Sequence, residues 1–268
     1  PVVGGLFDVV STALCAGLQD EFTLNAVMGT WAVTSGLAPE ICQHEAHPYV
    51  YGRYANALSS DEKNYIVHEA SPTSSANLEW LTQQLGGLGF EEINRLVAAL
   101  PKAGSDVMFL PFLYGSNAGL DMTAGFYGLQ SLHHRGHLLQ AVYEGVIFSH
   151  MTHLNRMRER FTQVKKLRVT GGPAHSKVWM QMLADVSGLC IELPQVEETG
   201  CFGAALAARV GTGVYRTFQD AQHDLQHPVR TLQPDMAAHA RYQHKYQQYQ
   251  HLIQALQGYH ARIKEHAL

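Results

Sequence analysis

The stretch that most constrains the fold is residues 167–211, "LRVTGGPAHSKVWMQMLADVSGLCIELPQVEETGCFGAALAARVG". An apolar run ends at Gly171-Gly172, a segment with helical spacing follows, and a second apolar run leads through a polar loop into a helix of small residues. Strand, turn, helix, strand, loop, helix predicts an α/β layer architecture. A glycine pair between a strand and a helix lets main chain approach a ligand, and the helix start offers unpaired N–H groups. The same pair also occurs for purely steric reasons. It is neither G-x-G-x-x-G nor a phosphate loop with its lysine, so the common nucleotide fingerprints are absent.

The other segments fit this reading. Residues 22–36 predict two short strands pinched at Gly29-Thr30, a hairpin tip that can offer an N–H and a hydroxyl to phosphate oxygens or be a plain turn. Residues 37–75, with Pro39, Pro48 and Pro72, predict loops and short strands. Helical spacing marks 75–87, 90–101 (stopped by Pro101) and 135–161, while 106–119 predicts a strand running into a Gly/Asn loop. From Pro234 to the end, Tyr242, Tyr246, Tyr249, Leu252 and Leu256 predict one terminal amphipathic helix. At the other end, Val2-Val3 reads as a strand, followed by Gly4-Gly5 and then Asp8 at a helix start. Asp8 is either an N-cap or a carboxylate at the carboxyl end of a strand, where α/β folds bind ligands, and residue types leave both readings open.

Composition narrows the function classes. With 46% hydrophobic and 16% charged residues among 268, the chain is of globular type, either one large α/β domain or two smaller ones. A formal net charge of −4 argues against a nucleic-acid face, and no apolar run reaches the roughly 18 residues of a membrane span. No charged-then-apolar leader is visible in these residues, and a truncated chain would lack one in any case. Cys15, Cys42, Cys190 and Cys201 lack C-x-x-C spacing and read as reduced, mostly buried thiols of a cytoplasmic protein. Among the 16 histidines, "HEAH" (44–47) lacks the H-E-x-x-H spacing. His133/His137 and His150/His153 have no acidic or cysteine partner nearby, so solvated or capping roles are favoured and no metal ligand is assigned.

"GGLFD" (4–8), "MGT" (28–30), "GFYGLQ" (125–130), "RGHLLQAVYEGVIF" (135–148) and residues 171–208 occur together and in order. With these motifs the chain resembles the C-terminal domain of the FGGY carbohydrate kinases, two-domain enzymes of the actin-like, ribonuclease-H-like ATPase class, over essentially all of its length. The resemblance implies an ATP-dependent kinase acting on the terminal hydroxyl of a ketopentose, with Mg2+, ATP/ADP and a small sugar as ligands and a homodimer as the assembly of relatives. It implies Asp8 as the base toward the sugar hydroxyl and Gly29 and Thr30 as contacts to the ATP phosphates. Gly171 and Gly172 would lie beside the α-phosphate and adenosine, with Ser176 near the adenine. Pro173 and His175 depart from the family's commoner Gly-Ala-Lys version, and "GSNAG" (115–119) replaces the Glu-Arg pair of many xylulose kinases, which argues against D-xylulose.

The family's other phosphate loop, most metal ligation and much of the sugar pocket belong to an N-terminal domain not in these 268 residues. The chain read as 1–268 of a C-terminal kinase domain is therefore expected to be inactive alone, with weak nucleotide binding. Two alternatives stand beside this reading: a kinase for another pentulose or a sugar acid, and a non-catalytic nucleotide-binding or assembly module in which Asp8 is a cap. The kinase reading expects Asp8, Thr30 and Gly172 to line one cleft.

Overall fold

The computed structural model describes residues 2–42, 47–54, 65–224 and 229–266. Pro1 and most of the "HEAH" segment lie outside them. A seven-stranded mixed sheet forms the centre, in the order β3-β4-β2-β1-β7-β8-β9. β1 (Thr23–Met28) and β2 (Ala32–Ala38) are the hairpin predicted around Gly29-Thr30, in antiparallel register with Met28 opposite Ala32. β3 (Val50–Arg53) and β4 (Tyr65–Ser71) extend it antiparallel beyond β2. On the other side of β1, β7 (Lys166–Thr170) and β8 (Cys190–Pro194) run parallel to it, and β9 (Val229–Leu232) closes the edge antiparallel. The predicted alternation over 167–211 is thus present.

Successive residues of β4 separate the two faces: Ile66 belongs to one buried cluster and Val67 to the other, as the period of two along a strand requires. The larger face is covered by α2 (Ala76–Gln84), α3 (Phe90–Ala98), α4 (Arg135–Arg160), α5 (Lys177–Ser187) and α8 (Met236–His266). The smaller face carries α1 (Asp8–Cys15), α6 (Thr199–Gly211) and α7 (Phe218–Asp224). A second, two-stranded sheet pairs β5 (Met108–Leu110) with β6 (Gly125–Tyr127).

The chain of α4 is long because it must return from the far sheet edge to place β7 parallel to β1. Every residue from Leu139 to Met151 is buried, and Gly145 is needed because a Cβ there would overlap the Phe109 carbonyl. Its start is held by imidazoles. His134 Nδ1 accepts the Gly136 amide (3.1 Å), and His137 Nδ1 accepts the His134 amide (3.2 Å). His133 Nδ1 accepts the Gln130 amide (3.0 Å), so these histidines cap the helix. α8 buries Tyr242, Tyr246 and Tyr249 against this layer, and its Lys245 meets Glu144 of α4 at 2.5 Å, both side chains buried. Burial raises the Glu144 carboxyl above its ordinary range, against the pull of Lys245.

Three expectations are corrected. Residues 2–7 are irregular rather than a strand, because none of the described strands pairs with them and Val2 is fully exposed. Asp8 is not the N-cap of α1. Phe7 holds that extended position and Asp8 is the first helical residue, its Oδ1 accepting the Val9 amide at 2.7 Å. Only Cys15 of the four cysteines is buried; Cys42 follows the edge of β2 and Cys201 lies in the exposed first turn of α6, while Cys190 is half-buried.

Candidate active site

The ends of β1 and β7 meet where the two glycine signals lie. Val27 pairs with Thr170 in parallel register, so the chain after each strand turns off at the same level. Gly171 adopts φ +98°, and a Cβ on it would overlap the Met28 carbonyl and press on the Gly29 amide. Both the conformation and the space therefore demand glycine. Gly172 opens a 3-10 turn through His175 and has nothing within 4 Å of where a Cβ would be, so it presents bare main chain outward. Thr30 stands exposed at the hairpin tip beside Trp31, itself 54% exposed.

A residue that sequence reasoning passed over ties the hairpin to the next element. The Gly29 carbonyl accepts two bonds from Ser75 at the start of α2, from its amide at 3.2 Å and its hydroxyl at 2.7 Å. Ser75 is in turn held by its neighbours. Thr73 donates to the Pro111 carbonyl, Asn77 to Thr73 and the Ser74 carbonyl, and Ser74 Oγ lies 3.3 Å from His150 Nε2. His150 is buried in α4, and burial pushes its imidazole down to about 3, so it serves as a neutral partner.

Two cavities flank the turn after Gly171. One, of about 430 Å³, is lined by Ser75, Leu78, Glu79, Phe90, Gly172 and Trp179 among others, an apolar slot with a carboxylate at its edge and main chain at its end. The other, of about 320 Å³, lies between Gly171, His175 and the loop 195–199 that leads into α6. His175 lines both. The first has the composition of a small-molecule site, mostly apolar walls with a few convergent polar groups, while the second is the more polar of the two.

Ser176 closes the turn from below. Its side chain is fully buried, its hydroxyl accepting the Trp179 amide as the cap of α5 (3.0 Å) and donating to Asn94 Oδ1 of α3 (2.6 Å). Both roles of the hydroxyl are filled. Asp8 lies apart. It is exposed at the start of α1 and lines neither cavity. α1 reaches the site through α6: a Cβ at Gly203 would overlap the Ser11 carbonyl, and one at Gly200 would touch Thr12 Oγ1 at 3.8 Å. The structure thus brings Gly29, Gly171 and Gly172 together with Ser75 and sets Ser176 beside them, whereas neither of these two cavities joins Asp8 to Gly172, contrary to the expectation of one shared cleft.

This sheet, with glycine turns at the ends of the parallel strands β1 and β7, has the actin-like fold of the carbohydrate-kinase C-terminal domain. Residues 24–212 match the model of the FGGY family of carbohydrate kinases, C-terminal domain, and the chain belongs to that family. It is 76% identical to an L-xylulose/3-keto-L-gulonate kinase of Escherichia coli (strain K12) over all 268 residues, 53% of that protein. A probable L-xylulose kinase of Pasteurella multocida (strain Pm70) is 56% identical, over 96% of this chain and 51% of the relative. Among solved structures, the ligand-bound xylulose kinase from Lactobacillus acidophilus superposes with a TM-score of 0.81 at 18% identity, over 94% of this chain and 51% of that one. The xylulose kinase from Rhodospirillum rubrum gives 0.79 at 22%, over 96% and 51%. The chain spans about half the length of these relatives.

Proposed function

We propose that this chain is the C-terminal half of a two-domain, ATP-dependent kinase that transfers phosphate to the terminal hydroxyl of a ketopentose, L-xylulose in the first place. The observation that carries the kinase reading is the meeting of Gly171 with Met28 and Gly29, which leaves a shelf of main chain between two cavities where a triphosphate can lie against backbone. The choice of sugar rests on the 76% identity to the Escherichia coli protein. That protein's name also supports a second reading, 3-keto-L-gulonate, a sugar acid.

In this reading the main chain of Gly29, Thr30, Gly171 and Gly172 aligns the phosphates, and Ser176 holds the turn against α3. The cavity walled by Leu78, Phe90 and Trp179 takes the flat, apolar face of the base, with Glu79 as an acceptor at its edge. Asp8, exposed on the first turn of α1, orients the attacking hydroxyl and accepts its proton late. The transition state of phosphoryl transfer is loose, so positioning and charge stabilisation carry the rate. Among the described residues no group of three or more His, Cys, Asp or Glu side chains comes together around an ion position. From the family resemblance, we place the Mg2+ that accompanies ATP on the nucleotide and on the half of the protein outside this chain. A cytoplasmic location and a homodimer complete the proposal.

Coupled ADP release by the full-length protein across L-xylulose, D-xylulose, L-ribulose and 3-keto-L-gulonate tests it. L-xylulose is expected to have the highest kcat/KM. Preference for D-xylulose would overturn the substrate, and no sugar-dependent ADP release would overturn the kinase.

A further inference from the structure

The nucleotide-side cavity has a wall that the glycine motifs do not supply. Phe90 and Ile93 of α3 line it from one side, Gly172, Pro173 and His175 of the turn from the other, with Trp179 of α5 between. The width of the cavity is the separation of α3 from the turn. One side-chain atom spans that separation. Asn94 Oδ1 accepts the Ser176 hydroxyl at 2.6 Å and the Tyr143 hydroxyl at 3.0 Å. Ser176 caps α5 through the Trp179 amide, Trp179 Nε1 donates to the Tyr143 carbonyl at 3.1 Å, and the Tyr143 and Trp179 rings stack 4.1 Å apart at 6°. The bonds close a ring through α3, α4 and α5.

We propose that Asn94 is a positioning residue that fixes the width of the nucleotide-side cavity and so sets the affinity for ATP and ADP; this rests on the assignment of that cavity to the nucleotide. A carbonyl oxygen has two lone pairs and can take both hydroxyls at once, which no apolar side chain can do. Without it the Ser176 and Tyr143 hydroxyls keep each other but lose their link to α3, which is then free to move from the turn. Aspartate keeps the two acceptor positions, and leucine keeps only the volume.

The test uses the full-length protein with ADP as the calorimetric probe, alongside steady-state KM values for ATP and sugar and a thermal melt. Asn94→Leu is expected to weaken ADP binding and raise the KM for ATP about tenfold, the combined size of the two lost hydrogen bonds. The KM for sugar should stay within about twofold and kcat should change little. Asn94→Asp is expected to restore most of the affinity. Tyr143→Phe, which removes one of the two bonds, should give a smaller loss in the same direction and carries the test if the leucine variant does not fold. Unchanged ADP affinity in folded Asn94→Leu or Tyr143→Phe, against measurable binding by the wild type, would overturn the clamp alone. So would failure of Asn94→Asp to recover affinity. Absence of ADP binding by the wild-type protein would overturn the nucleotide assignment and the clamp together.

Discussion

The two helical layers on the sheet are built differently. On the α4 side, large side chains fill the space: Trp179, Tyr143, Tyr242 and Phe148 are each fully buried, and an ion pair between Glu144 and Lys245 sits inside. On the α1 side the buried cluster is small, and α1 meets α6 by close approach of the main chain at Gly203. The first layer is the thick support on which the turn and the Ser75–Gly29 bond rest. The second carries α1, whose first turn holds the exposed carboxylate Asp8 outside both cavities. Substitutions in the first layer should appear mainly in stability and nucleotide affinity, and those in the second mainly in turnover.

Asp8→Asn should give the largest effect. The side chain is exposed, so the melt should move by less than about 0.5 kcal/mol. Turnover of the full-length enzyme should fall by about 10²–10⁴-fold, with ADP affinity unchanged. Retention of more than about a tenth of wild-type kcat would remove the base from the α1 layer.

Lys245→Met reverses the pattern. It leaves Glu144 buried without its partner, and denaturant unfolding should show a loss of about 3–5 kcal/mol. A loss below about 1 kcal/mol would mean that the pair adds little to the thick layer.

Gly203→Ala places a methyl against the Ser11 carbonyl and pushes α1 from α6. A cost of about 1–3 kcal/mol is expected, with kcat falling more than ADP affinity. Equal loss of both would show that the layers do not divide the work.

A pH dependence is spread over three buried histidines, His150 and His153 in α4 and His68 in β4. Burial pushes His150 down to about 3, with His153 adding to it; His153 falls to about 4, again chiefly by burial, as does His68 beside Ser35 Oγ. Their folded values lie below the unfolded one near 6.5, so the unfolded chain binds more protons. Stability should therefore be full above about pH 6.5 and fall as pH drops toward 4, by roughly 1 kcal/mol per pH unit for each histidine. Urea midpoints between pH 7 and 4.5 check this, and replacement of His150 should flatten the slope.

Much of the fold was legible because its main elements carry strong periodic patterns. The β1–β2 hairpin, α4 and the alternation from β7 to α6 follow from apolar spacing and glycine punctuation. Within 37–75, read as loops and short strands, β4 could not be placed because Ile66, Val67 and His68 are all buried, so a strand covered on both faces shows no alternation. β9 is an exposed edge strand of four residues, and α7 is a single polar segment; neither has a pattern strong enough to read alone. At the site, the glycines were legible because backbone geometry permits nothing else at Gly171. Ser75, Phe90, Asn94 and Trp179 were not, since they converge from α2, α3 and α5 only after folding.

Parallel ADP-release measurements on the full-length protein and on the isolated 268 residues, with L-xylulose and Mg-ATP, address the central claim most directly. The full-length protein should turn over and the isolated chain should stay at background, because in the proposed reading this half supplies the nucleotide shelf and Asp8 but only part of the active site. Turnover by the isolated chain, or none by the full-length protein, would contradict the account.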